Sequence, residues 1–313
     1  VRAWLAALAP GLVAAAAFAA AFAIDDTTAW VQQAQAVLFS SARLALAAWP
    51  LWAIVGVVRT RLWRRHLLLG AVGGLAGGLP WGSPPEGLVV ASANLDAFAS
   101  EGRAVEADLA ALHADVLFTI ELRALAIDGM RRVADNFDRG LAKPSWGLGV
   151  FCREDLACSA QVGELLGEPT CAMPYATLVV DDLCVLALHL PPPVSGCNAG
   201  RVAYMAHVNE HLWGGRISRD LGACSKGDRA LVIGDLNSTP GMWVHQDLVS
   251  RGFRDAFRAR GVWAGTWPAG GGYSALPLTQ LDHALAGETV QTHGPTTFAI
   301  PGSDHRGVMV GVR

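Results

Sequence analysis

Two short motifs in this chain set an acid beside a hydrogen-bonding partner where an apolar run meets a turn. One is Gly234-Asp235-Leu236-Asn237-Ser238-Thr239-Pro240, which follows the apolar run 230–233. The other is Gly302-Ser303-Asp304-His305-Arg306-Gly307, just ahead of the last apolar run. A strand end is rigid and a turn opens to solvent, so such acids are placed for chemistry. Four further sites sit at comparable positions: Asn94 and Asp96, Glu121, His189, and Asp282 within Leu281-Asp282-His283. A hard dication takes carboxylate and amide oxygens. A phosphate in transfer needs donors, which Asn and His supply, and attack needs a base, for which a His steered by an Asp serves. Each site alone has a plainer reading, since an Asp-Asn pair is usually a turn. Jointly they point to metal-assisted cleavage of a phosphate ester.

Positioning these residues requires strands, and the sequence supplies them. Strands are expected over 88–92, 115–120, 147–152, 230–233, 280–286 and 307–312, with a hairpin formed by 176–180 and 183–190 around Asp181-Asp182. Apolar residues at helical spacing mark 105–113, 124–137, 201–212 and 244–250 as helices. Hairpins combined with helices in about 230 residues suggest two packed sheets flanked by helices.

Composition divides the chain. It is 52% hydrophobic and 16% charged. Residues 1–84 hold six Arg, no Lys and two acids, whereas 85–313 hold 18 basic and 25 acidic residues, a formal charge of −7. Segments 3–24, 37–58 and 67–81 are apolar enough to read as three membrane spans. Gly70, Gly74 and Gly78 recur every fourth residue in the third, as close helix packing in lipid favours. Arg59, Arg61, Arg64 and Arg65 place the loop between the second and third spans in the cytoplasm. The expectation is therefore a transmembrane anchor at 1–84, with the lipid bilayer as its partner, and an extracytoplasmic domain at 85–313. All six cysteines (Cys152, Cys158, Cys171, Cys184, Cys197 and Cys224) fall in that domain. Their even number fits disulfides in an oxidising space, with fifteen pairings open.

The order of these motifs over 88–313 resembles the endonuclease/exonuclease/phosphatase superfamily of DNase I-like enzymes. The strongest pieces are the Gly234–Pro240 motif, Leu281-Asp282-His283 and Gly302–Arg306. Ala93-Asn94-Leu95-Asp96, the run leading to Glu121, and His189-Leu190-Pro191 add to it, and Gly265-Thr266-Trp267-Pro268 is similar to a membrane-anchored bacterial branch. The resemblance implies a four-layer α/β sandwich, two packed mixed β-sheets flanked by helices, preceded by the membrane region. It implies Mg2+, with Mn2+ as substitute, held by Glu121 with Asn94, Asp96 and Asp304. It makes Asp235, Asn237, His189 and the His305–Asp282 pair catalytic, and leaves open whether Asp235 or His305 takes the proton. Asn94, His189, Asn237, Trp267 and Arg306 would contact substrate.

The function expected is metal-dependent hydrolysis of a phosphodiester or phosphomonoester at the outer face of a bacterial inner membrane. The acidic net charge and the lack of basic insertions favour lipid headgroups or small phosphorylated molecules over long nucleic acid. A nuclease acting on DNA or RNA is the first alternative, and an inactive phosphate-binding module on the same fold the second.

Overall fold

The computed structural model describes residues 85–96, 102–121, 125–136, 147–164, 174–190, 192, 229–259, 265–269, 277 and 279–313. Among the described residues twelve strands form two six-stranded sheets. The strands are β1 (Leu88–Asn94), β2 (Val116–Ile120), β3 (Met130–Asp135), β4 (Leu148–Arg153), β5 (Cys158–Glu164), β6 (Pro174–Val180), β7 (Leu183–His189), β8 (Ala230–Asp235), β9 (Arg254–Asp255), β10 (Asp282–Ala286), β11 (Thr292–Ala299) and β12 (Arg306–Val312). The helices are α1 (Gly102–Ala110), α2 (Trp243–Ser250) and the single turn α3 (Ala256–Ala259).

The first sheet runs β11-β12-β1-β2-β4-β3 and the second β5-β6-β7-β8-β10-β9. Each is antiparallel except for one internal parallel pair, β1 with β2 and β7 with β8. The four carboxyl ends of these pairs carry Asn94, Glu121, His189 and Asp235.

Strand alternation explains how these polar residues come to face one another. Successive side chains on a strand point to opposite faces. Val90, Val116, Phe118 and Val150 of the first sheet meet Leu178, Val185, Leu231, Ile233 and Ala284 of the second in one core. The opposite face of the first sheet packs Ala91, Ala93, Leu117 and Phe151 against Val105 and Leu109 of α1. That of the second packs Leu186, Val232 and Leu285 against Val244 and Leu248 of α2. The order helix, sheet, sheet, helix is the expected sandwich. Counting in steps of two along the rows that face the inter-sheet core leads from Val90 to Asn94, from Val185 to His189, from Leu231 to Asp235, and from Ala286 to Asp282. The site is thus the polar end of the rows that build the core.

Two elements differ from expectation. Residues 124–137, expected as a helix, contain β3, which pairs with β4 through a register shift between Arg132 and Ala134. β3 is an edge strand with Arg131 and Arg132 exposed, so it lacks the clean alternation that marks a half-buried strand. β11 was not expected, because Gly294-Pro295 interrupts it. Pro is tolerated at a sheet edge, and the ladder shifts register between His293 and Thr296 at that point. The helix expected over 201–212 lies outside the described residues.

The membrane reading is corrected. The three spans expected at 3–24, 37–58 and 67–81 lie outside the described residues. Among the described residues no helix is long and apolar enough to cross a membrane. The longest, α1, has 9 residues, against about 20 for a span. The anchor, the bilayer partner and the inner-membrane location therefore have no support in the described structure.

Cys152, one residue before the end of β4, is disulfide-bonded to Cys158, opening β5, so the crosslink joins the two sheets. Cys184 is also disulfide-bonded.

Gly234 has φ +132°, and a Cβ there would stand 2.2 Å from the Leu188 carbonyl oxygen of the paired strand. Gly129 has φ +73° but open space around it. Gly234→Ala is expected to destabilise the fold by clearly more than about 1 kcal/mol, and Gly129→Ala by less. Urea unfolding of the two variants checks the order.

Candidate active site

The site is built where five strand ends and one loop converge. β1 and β2 pair in parallel with Asn94 opposite Ile120, so Glu121 emerges one residue beyond. β7 and β8 pair with His189 opposite Asp235, and β8 and β10 pair with Asp282 opposite Asp235. His189, Asp235 and Asp282 thus lie side by side across the second sheet. His305 arrives from the other sheet, just before β12.

The turns beyond the strands are unusual. Asp96, Glu121 and Asn237 have φ of 45°, 58° and 44°. Side-chain residues rarely adopt this left-handed region, and where they do the surroundings must hold them. Hydrogen bonds do so here. The Asp96 amide donates to Asn94 Oδ1 at 3.1 Å, and the Asn237 amide to Asp235 Oδ1 at 2.7 Å. Asn237 Nδ2 donates to the Leu190 carbonyl at 2.8 Å and to Asp235 Oδ2 at 3.2 Å.

The functional groups then meet. Asn94 Nδ2 bridges the sheets, donating to Asp235 Oδ2 at 3.1 Å and Glu121 Oε1 at 3.3 Å. His189 Nε2 lies 3.3 Å from the same Glu121 oxygen and 4.0 Å from Asp235 Oδ2. His305 Nδ1 bonds Asp282 Oδ2 at 2.9 Å, and its Nε2 lies 3.9 Å from Asp235 Oδ2 and 3.8 Å from Asp304 Oδ1. Trp267 Nε1 donates to Asp304 Oδ2 at 2.9 Å, and Trp267 is 38% exposed at the rim. Of the remaining sequence candidates, Arg306 turns its guanidinium to Thr297 Oγ1 and the Thr297 carbonyl. Asp96 stands at the turn after β1.

Two residues without titratable groups were not singled out from the sequence, yet they hold the site. Ser303 Oγ donates to the Asn94 carbonyl at 2.7 Å and accepts from the His305 amide at 3.0 Å. Thr266 Oγ1 accepts from the Leu281 and Asp282 amides. Their signal was present in the Gly-Ser-Asp-His and Gly-Thr-Trp-Pro motifs, where they flank the residues that drew attention.

The electrostatics follow from burial and pairing. Burial opposes a charge on His305, but Asp282 first and Asp235 next outweigh it and lift the imidazole to about 10. At neutral pH His305 is a cation. Burial, reinforced by Asp282, pushes the Asp235 carboxyl up despite His305 and His189. Burial also works against the Glu121 charge, and the His189 hydrogen bond and charge, with Asn94, hold its pKa below the usual value. His189 loses charge to burial and regains more from Glu121, so its pKa is raised.

The donor set fits a divalent ion. Ligand atoms of Asp235 and Asp282 lie within 4.8 Å of each other and of the His305 ring, whose cationic form has no lone pair to give, and buried Asp282 Oδ1 has no hydrogen-bond partner among the described residues. Glu121 presents a carboxylate beside them. Carboxylate and amide oxygens in this density suit a hard cation.

The model of the Endonuclease/Exonuclease/phosphatase family matches residues 91–305, more than half of the chain, and this chain belongs to that family. It is a metal-dependent phosphoesterase. Among solved structures it is similar to the 3′ phosphatase NExo from Neisseria bound to a product DNA hairpin, with 14% identity, a TM-score of 0.56, and 72% of this chain and 99% of that one covered. It is also similar to the 3′-5′ exonuclease NExo from Neisseria meningitidis, with 14% identity, a TM-score of 0.53, and 71% and 98% covered. At such identity the likeness is one of fold. No curated protein matches the sequence. The match is to the family as a whole, so the expected membrane-anchored branch is corrected to the family level. The preference for lipid headgroups over nucleic acid falls with it. It rested partly on net charge, a whole-surface sum that does not describe the few groups around one phosphate.

A second buried cluster lies behind β10. His245, Asp255 and His283 also bring ligand atoms within 4.8 Å. His245 Nε2 donates to Asp255 Oδ2 at 3.0 Å. Burial holds the His245 imidazole down at about 4, more than the Asp255 bond raises it. Its folded pKa lies below its unfolded value of 6.5, so its contribution to stability is complete above that value and lost as pH falls toward 4. Acidification from about pH 7 to about pH 5 is expected to cost on the order of 2 kcal/mol through this residue. Melting temperatures of the parent should fall over that window, and those of His245→Leu should fall less.

Proposed function

We propose that this protein is a nuclease that hydrolyses phosphate esters in DNA or RNA with Mg2+ as its working ion, and that residues 85–313 are its catalytic unit. The observation that carries the reading is the meeting of Asn94, Glu121, His189, Asp235 and the His305–Asp282 pair at one end of the sandwich. Two solved structures of similar fold are a 3′ phosphatase bound to a product DNA hairpin and a 3′-5′ exonuclease, which favours nucleic acid as the substrate class.

Glu121 would hold the ion, with Asn94, Asp96 and Asp304 around it. The ion, when bound, screens phosphate charge and helps stabilise the transition state. Asp235 orients the attacking water and takes its proton, a role that suits a carboxyl whose pKa is raised by burial. His305, kept cationic and aimed by Asp282, donates from Nε2 to a phosphoryl oxygen as charge builds. His189 and Asn237 supply further donors, and Trp267 offers a ring face at the rim. Arg306 contributes by tying β12 to β11 at the base of the site.

The test uses the 313-residue chain with duplex DNA, a 3′-phosphorylated DNA hairpin, single-stranded RNA and bis(p-nitrophenyl) phosphate. Cleavage of at least one nucleic acid is expected, abolished by chelator and restored by Mg2+. Turnover of the small diester without cleavage of any nucleic acid would sink the nuclease reading. Glu121→Gln is expected to lower the rate at least about a hundredfold and to raise the Mg2+ needed for half-maximal activity. Asp282→Asn is expected to cost on the order of a thousandfold in kcat, because it removes the charge that keeps His305 protonated. If that variant retained full activity, the role given to the pair would be wrong.

A further inference from the structure

Asp282 and His283 are neighbours on β10 and therefore face opposite sides of the second sheet. Asp282 points into the site. His283 points away from it, toward the layer of α2, and is fully buried. Its Nε2 lies 2.7 Å from the Ser238 carbonyl, which can only accept, so this nitrogen carries the proton. Nδ1 lies 3.1 Å from Gln280 Nε2 and 3.3 Å from Asp255 Oδ2. The same Gln280 nitrogen donates to Asp255 Oδ2 at 3.2 Å. That oxygen also accepts from His245 Nε2, and Asp255 Oδ1 accepts from the Phe257 and Arg258 amides. These bonds link the cluster, in which one buried ring nitrogen, His245 Nδ1, has no partner among the described residues.

The free end of the network is the Ser238 carbonyl, and its position is informative. Ser238 directly follows Asn237, the left-handed residue whose amide and side chain both bind Asp235. A left-handed Asn persists when its surroundings hold it. The Ser238–Thr239 peptide, the second one beyond Asn237, is held by His283.

We propose that His283, held on its far side by Gln280 and Asp255, is a positioning residue. It latches the 236–240 turn from behind and so fixes Asn237 and the carboxylate of Asp235 for attack. His245 and Asp255 brace it from α2 and β9. The catalytic part of this inference rests on the nuclease reading, whereas the latch itself does not. Loss of the latch misplaces groups that work in the transition state, so kcat should fall while KM and the Mg2+ requirement stay near those of the parent. Displacements of this size cost on the order of ten- to a hundredfold.

The experiment compares His283→Leu, His283→Gln and, as a control for general destabilisation, Leu248→Ala in the same helix layer. His283→Leu is expected to lose ten- to a hundredfold in kcat, well below its melting temperature. His283→Gln, which keeps a side-chain N–H that can reach the Ser238 carbonyl, should recover a large part of that loss. Leu248→Ala should melt lower with near-parental kcat. Hydrogen–deuterium exchange provides a readout independent of any substrate: His283→Leu should speed exchange across 236–240 and leave β7 (Leu183–His189) as protected as in the parent. The latch is refuted if 236–240 exchanges as slowly as before, if exchange rises equally throughout, or if Leu248→Ala reproduces the kcat loss. If the parent cleaves no nucleic acid, the nuclease reading fails while the exchange result still decides the latch. If His283→Leu does not fold, His283→Gln carries the test, with near-parental protection at 236–240 expected and loss there refuting it.

Discussion

Two carboxylates, Asp235 and Asp282, stand side by side on adjacent strands in a space nearly closed to water. Like charges this close in a poorly screened site oppose each other. His305 changes that balance. Bonded to Asp282 and within reach of Asp235, it supplies the cation that keeps the pair in its working state. Its arrival depends on the other sheet, on Ser303 Oγ holding its amide, and on β12 pairing with β1. The packing of two sheets and the charge state of the site are therefore one constraint. If the sheets slid apart, the carboxylates would lose their counter-charge before the core lost much apolar contact.

This dependence explains why the site occupies one end of the sandwich. Inward-facing rows from both sheets end in polar residues at the same level. The apolar part of each row sets the spacing between sheets, and its last member uses that spacing. Val90 and Asn94 are thus consecutive uses of one geometry. The left-handed turns at Asp96, Glu121 and Asn237 end the strands sharply and keep the last side chain from drifting into solvent.

Much of this was legible in the sequence because strand ends leave a local mark, an apolar run bordered by an acid, an amide or a histidine. Asn94, Glu121, His189, Asp235, Asp282 and His305 all carried it. What stayed hidden depends on partners distant in sequence. Ser303 reaches Asn94 across 209 residues, and no local pattern announces that bond. β3 and β11 lie at sheet edges, where solvent on one side blurs alternation and Pro295 is tolerated. The preference for lipid over nucleic acid came from summed charge, a quantity blind to position. His283 was visible only as the companion of Asp282, and its own bond to Ser238 appears once β8 and β10 are set in register.

The adjacency of Asp282 and His283 bears on how faithfully the chain assembles. A slip of one residue between β8 and β10 would exchange the two faces of the strand. A carboxylate would then meet the Ser238 carbonyl, acceptor against acceptor, and an imidazole would meet His305, cation against would-be cation. Both errors are penalised at once and in dry surroundings, whereas a strand of alternating valines would tolerate the slip at modest cost. The pair acts as a built-in proofreader of strand alignment, so a molecule that has mis-zipped at this seam is disfavoured before it can persist as an inert look-alike.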